Sequence, residues 1–147
     1  MDELKPYVTA VDHVGIAVPD MAEAITFYRD VLGFELTHEE VNEEQGVREA
    51  MMHPPGDAAG TAVQLLAPLG PDTTIGKFLA RRGPGVQQVA YRVSDLDAAS
   101  EALRAKGLRV IYDEPAAGTA NSRTNFVHPK DAGGVLIELV EPAPTRP

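Results

Sequence analysis

The sequence predicts an α+β fold built from tandem βαβββ modules whose strands form an open, cup-shaped mixed sheet. Two observations carry that prediction. The stretch "VDHVGIAVPDMAEAITFYRDVLGFEL" (Val11 to Leu36) is echoed by "VQQVAYRVSDLDAASEALRAKGLRV" (Val86 to Val110). Val11, Val14, Val18 and Asp20 recur 75 residues later as Val86, Val89, Val93 and Asp95. The ends of the halves also match: "AVQLLAP" (Ala62 to Pro68) answers "LIELVEP" (Leu136 to Pro142) at an offset of 74. A fixed offset held to within one residue is the mark of a tandem duplication.

Each half follows the same order of elements. An opening strand leads to Asp20 or Asp95, both placed to cap a helix, and Glu23 lies three residues beyond Asp20 in a capping-box position. Helices follow over about Met21 to Leu32 and Leu96 to Lys106, and Leu96, Ala99 and Leu103 mark the apolar stripe of the second. Gly33 and Gly107 stand where a left-handed residue ends a helix. Three short strands are then expected in each half. They run over Phe34 to Glu40, Val47 to His53 and Thr61 to Ala67, then over Arg109 to Tyr112, Thr124 to His128 and Val135 to Val140. "PPGDAAG" and "PKDAGG" are turns ahead of the last strands. The predicted organisation is one domain of two modules, 8–68 and 84–142, joined by a linker helix near 72–82 and ending in a disordered, proline-rich tail at 143–147.

The chain has 147 residues, 44% apolar and 24% charged, in keeping with one globular domain. It has no cysteine, which excludes disulfides, thiolate metal sites and cysteine nucleophiles. A net charge of −9 argues against nucleic acid as a partner. No apolar run reaches the roughly 18 residues of a membrane span, and "MDELKPYVTA" lacks the layout of a signal peptide. A cytoplasmic location without a membrane partner is the expectation.

Four polar residues fall at repeat-equivalent places. The opening strands carry His13 and Gln88, and the closing strands carry Gln64 and Glu138. By strand alternation, His13 shares a face with Val11, Gly15 and Ala17, and Gln88 shares one with Ala90. Small neighbours leave room in front of both side chains, while the bulkier Val14, Ile16, Val18, Val89, Tyr91 and Val93 face the helices. Gln87 points away from Gln88. Glu138, inside "VLIELV", is a carboxylate among apolar neighbours and calls for a proton, an ion pair or a metal. Taken singly, each residue has an ordinary structural explanation; four at matched positions point to one site.

The duplicated βαβββ plan resembles the vicinal oxygen chelate superfamily, whose members bind a divalent metal in such a cup. More narrowly, "DHVGIAVPD", "VNEEQGVREAM", "VQLLAP", "YDEP" and "NSRTNFVHPKDAGGVLIEL" resemble the methylmalonyl-CoA epimerases over about residues 11–142. The resemblance implies metal ligands at His13, Gln64 and Glu138, with Gln88 standing where the family usually has a histidine. The implied ion is one Co2+ per chain; Mn2+ or Mg2+ gain weight because an amide oxygen makes the donor set harder. Glu49 corresponds to a catalytic glutamate of the family, and Glu138 is a weaker candidate for the second base. The substrate implied is methylmalonyl-CoA, epimerised by removal and return of the proton at C2, and the assembly implied is a homodimer.

Arg123 and Asn125 are expected to contact the thioester or carboxylate, and Lys130 a CoA phosphate. His38 and His53 have no counterpart in the other half and read as surface or structural residues. The rival readings are a glyoxalase-type isomerase, a ring-cleaving dioxygenase (whose ligand set Gln88 does not fit) and a metal-free small-molecule binding protein on the same fold.

Overall fold

The computed structural model describes residues 7–144. These make two compact units, one of His13–Gln87 and one of the chain up to Asp12 together with Gln88 onward. The division falls inside the first strand, Val8–Ala17, and inside the strand that follows the linker helix, Gly85–Val93. Residues 145–147 of the expected tail lie outside the described residues.

In the His13–Gln87 unit, strands run in the order β2 (Glu35–Asn42), β3 (Val47–His53), β4 (Ala62–Pro68), β1 (Val8–Ala17). β1 and β4 are parallel, with Gly15 opposite Gln64; the other pairs are antiparallel. One face, carrying Ala50, Met52 and Leu65, packs against Met21 and Ile25 of α1 (Met21–Thr26). Met52 and Leu65 are fully buried, and each such side chain contributes about 1.5–3 kcal/mol by leaving water. The other face carries His13, Glu49 and Gln64. At one end it is closed by Ala17, Val47 and Leu66 against Ile75 of α2 (Thr74–Arg82).

In the second unit the order is β5 (Gly85–Val93), β8 (Ile137–Glu141), β7 (Arg123–Val127), β6 (Ala116–Ala117). β5 and β8 are parallel, with Ala90 opposite Glu138. The α3 helix (Leu96–Ala105) lays Leu96, Ala99 and Leu103 on Val93, Val127 and Leu139. The first residues of β1 join this unit: the Thr9 hydroxyl donates to the Arg92 carbonyl at 3.3 Å, and the Arg92 guanidinium donates to Asp12 at 2.8 Å.

Local chemistry explains the helix ends. The Asp20 and Asp95 carboxylates accept from the backbone N–H of Glu23 and Ala98, each at 3.0 Å, satisfying donors that an uncapped helix leaves open. Gly33 and Gly107 have φ of 77° and 85°, where a Cβ is disfavoured.

Two expectations need correction, and one irregularity has no counterpart in the sequence reading. The first helix does not continue as α to Leu32: after Thr26 it widens into a π-helical turn, Phe27–Val31. The Leu32 N–H reaches back five residues to Phe27, and the Phe34 N–H bonds the Tyr28 carbonyl. This turns Tyr28 edge-on to Phe34 at 5.7 Å and leaves Phe27 half exposed. The expected strand Arg109 to Tyr112 is only an isolated bridge, Val110 to Val127. Tyr112 bonds the Asn125 side chain instead of a ladder partner, and the edge strand forms later, at Ala116–Ala117. Finally, β2 bulges between Leu36 and His38, so Thr37 falls out of the alternation.

Candidate active site

The His13–Gln87 unit brings three of the singled-out side chains to one sheet face. In β1, His13, Gly15 and Ala17 are buried while Val14 and Ile16 are half-buried, so the small neighbours do stand beside His13. Gln64 lies on the adjacent strand, two residues beyond the position opposite His13. Glu49, one strand further on, accepts a hydrogen bond from Gln64 Nε2 at 3.1 Å. All three are almost wholly buried, His13 and Gln64 at 3% exposure and Glu49 at 6%. Val47 and Met51 share Glu49's face, as strand alternation requires, and Glu40 of β2 is its direct cross-strand neighbour.

The second unit assembles the other pair. Gln88 Nε2 donates to Glu138 Oε1 at 2.8 Å across the parallel strands β5 and β8. Gln88 is 5% exposed and Glu138 6%. The other carboxylate oxygen, Oε2, accepts from the Thr124 hydroxyl at 2.6 Å. Sequence reasoning passed over Thr124, which sits between Arg123 and Asn125 in "NSRTNFV". The available signal was alternation: Thr124 occupies the phase opposite to both neighbours.

The remaining candidates lie elsewhere. Asn125, 1% exposed, projects from the α3 side of β7, away from Glu138. Its Oδ1 accepts from the N–H of Tyr112 at 3.0 Å and of Phe126 at 2.8 Å, and its Nδ2 donates to the Tyr112 carbonyl at 2.9 Å. The amide is thus engaged in holding a backbone segment, on the sheet face opposite Glu138. Arg123 lies on that same side and bridges Asp97 of α3 at 3.0 Å and Glu141 of β8 at 3.2 Å. Its bond to Asp97, then that to Glu141, holds the guanidinium above its ordinary pKa. Lys130 is exposed in the short 3-10 turn Pro129–Asp131, where its N–H donates to the His128 ring. His53 is buried with Nδ1 2.7 Å from the Thr37 hydroxyl, and His38 is paired with Glu40.

An imidazole, two amide oxygens and a carboxylate are a chemically sufficient donor set for a hard divalent cation. All four are buried, and each glutamine spends its Nε2 on a carboxylate, so its carbonyl oxygen is the end suited to a cation. Among the described residues, no three His, Cys, Asp or Glu side chains gather into a metal cluster. Of the four repeat-matched side chains, His13 offers an imidazole, Glu138 a carboxylate, and Gln64 and Gln88 amides.

The Glyoxalase/Bleomycin resistance protein/Dioxygenase superfamily model matches residues 12–126, and the chain belongs to that superfamily. Its relatives narrow the class. A crystal structure of methylmalonyl-CoA epimerase from Mycobacterium tuberculosis is 60% identical, with a TM-score of 0.88 over 93% of this chain and 90% of that one. A Streptomyces coelicolor methylmalonyl-CoA epimerase variant, in complex with 2-nitronate-propionyl-CoA, is 47% identical with a TM-score of 0.89, over 93% of this chain and 99% of that one. The mitochondrial methylmalonyl-CoA epimerase of Mus musculus is 38% identical over 130 residues, 88% of this chain and 71% of the mouse protein. The chain is a member of the methylmalonyl-CoA epimerase family.

Proposed function

We propose that this chain epimerises methylmalonyl-CoA, moving the C2 proton with Glu49 as base, in a reaction dependent on one divalent ion. The observation that carries the reading is the Glu49–Gln64 pair, buried on one sheet face of a chain whose relatives are methylmalonyl-CoA epimerases. We assign His13, Gln64, Gln88 and Glu138 as the residues that hold the ion, cobalt first and manganese or magnesium next. When bound, the ion supplies Lewis acidity and orientation at the oxygens flanking C2.

The chain's own groups account for the proton. Gln64 Nε2 fixes Glu49 Oε2, which leaves the carboxylate with a defined orientation for accepting the C2 proton. Inversion requires return of a proton on the opposite face. Glu138 is the second carboxylate proposed for this, although a ligating carboxylate is the weaker base, and water is the alternative donor. We further propose a homodimer acting in the cytoplasm; among the described residues, no helix is long and apolar enough to cross a membrane.

The test follows solvent deuterium into C2 of methylmalonyl-CoA, with uncatalysed exchange subtracted. Metal-stripped protein should lose exchange and cobalt, manganese or magnesium should restore it. E49Q should lower it by about 10²–10⁴-fold, the usual contribution of a positioned base. Folded protein that exchanges nothing with any of these ions would overturn the proposal.

A further inference from the structure

We infer that Thr124 is a positioning residue that commits Glu138 to offering a single carboxylate oxygen, and so sets which cations the chain accepts. The inference rests on the assignment of Glu138 as a metal ligand. Within one unit, Glu138 is gripped on both oxygens: Gln88 Nε2 at 2.8 Å on Oε1, and the Thr124 hydroxyl at 2.6 Å on Oε2. The two grips differ in kind. Gln88 is itself an assigned ligand, and its long side chain can re-aim. Thr124 is 4% exposed and β-branched, with few rotamers to choose from.

Its backbone is also fixed. Thr124 lies in the β7 ladder opposite Val140 of β8 and opposite Ala116 of β6, so neighbours hold it on both sides. The Leu139 carbonyl, 3.2 Å away, is the hydroxyl's other acceptor within reach. A Cβ added at Gly118 would meet the Ser122 hydroxyl at 2.6 Å and Thr124 Cγ2 at 3.5 Å, so the loop beyond β6 packs directly against this residue. The bond to Oε2 is charge-assisted and short. Bidentate use of Glu138 would require breaking it and turning the carboxylate, leaving the hydroxyl with the longer bond to the Leu139 carbonyl.

This has a consequence for the cation. Ca2+ often takes both oxygens of a carboxylate in sites of six to eight ligands, whereas Mg2+ and Mn2+ suit octahedral oxygen-rich sets. A Glu138 held at Oε2 by Thr124 favours the smaller ions and disfavours Ca2+.

The experiment compares full-length wild type, T124V, T124S and E138Q. It measures calorimetric binding of Mn2+, Co2+ and Ca2+, the visible absorption of the Co2+ forms, and a thermal melt of each protein. T124V keeps the shape and removes the donor. It should bind Mn2+ and Co2+ about 10–100-fold more weakly, as expected for losing a group that orients a ligand. Its Mn2+/Ca2+ preference should fall and its Co2+ spectrum should change, while T124S restores all three. If T124V does not fold, T124A, which also removes the donor, carries the test, and a T124A with wild-type affinity, preference and spectrum would overturn the inference. Wild-type binding that is lost in E138Q but unchanged in T124V would overturn this inference alone. Wild type that binds neither Mn2+ nor Co2+ would overturn the metal assignment and this inference together.

Discussion

Replacing Asn125 by alanine separates two roles that the sequence could not. In the structure the Asn125 amide makes three hydrogen bonds, two to Tyr112 and one to the Phe126 N–H, from a side chain 1% exposed. At about 1 kcal/mol net for each, N125A should cost roughly 3 kcal/mol, and more if Tyr112 cannot recruit water to the groups left behind. For a chain of this size about 2–4 °C is lost per kcal/mol, so the melting temperature should fall by roughly 6–12 °C. Urea denaturation should show a lower midpoint with an unchanged slope. Turnover per folded molecule, measured well below the melting temperature, should change little because the side chain faces away from Glu138. A fully stable N125A that has lost most of its kcat/KM would refute the structural role and restore the substrate contact.

Other expectations are narrower. The Arg109 side chain and backbone N–H hydrogen-bond Asp131 and hold its carboxyl at about 2, below its ordinary value of 3.8. Because the folded-state value is the lower one, the contribution to stability is present above pH 3.8 and is lost as pH falls through about 2. A carboxyl NMR titration should show R109A returning Asp131 toward 3.8. Removing the caps with D20A or D95A should each cost about 0.5–2 kcal/mol in denaturation experiments, with glycine at either position costing only a few tenths. Ala120 has φ of 54°, in the left-handed region, so A120G should leave stability unchanged or raise it by up to about 1 kcal/mol, read from the urea midpoint. A loss of more than that would show the methyl group is needed for packing.

Much of the site was legible because its signals are local or repeat with the chain. Strand alternation placed His13 with Gly15 and Ala17, and Gln88 with Ala90; the buried positions of β1 follow that phase, as do Gln88 and Ala90 in β5, while Val93 is buried on the other face against α3. Glu49 was assigned to the face of Val47 and Met51, and the β3–β4 register puts Gln64 opposite Met51 on that face. The π-helical turn was not legible. It depends on fitting Tyr28 against Phe34, a contact absent from any helical periodicity.

The final segment shows the limit most clearly. In "SRTNFV" polar side chains occupy both phases of the strand, so composition cannot say which side faces Glu138. A one-residue change in register would exchange Thr124 for Arg123 and Asn125, turning every side chain over. The pairing of β7 with β8 decides it, setting Phe126 opposite Glu138 and Thr124 opposite Val140. The sequence by itself determined the duplication, the caps and the four matched polar positions, because these rest on local preference and on repetition. Only the tertiary structure decided that Thr124 grips Glu138 while Arg123 and Asn125 secure α3 and Tyr112, because strand phase is set by a partner distant in the chain.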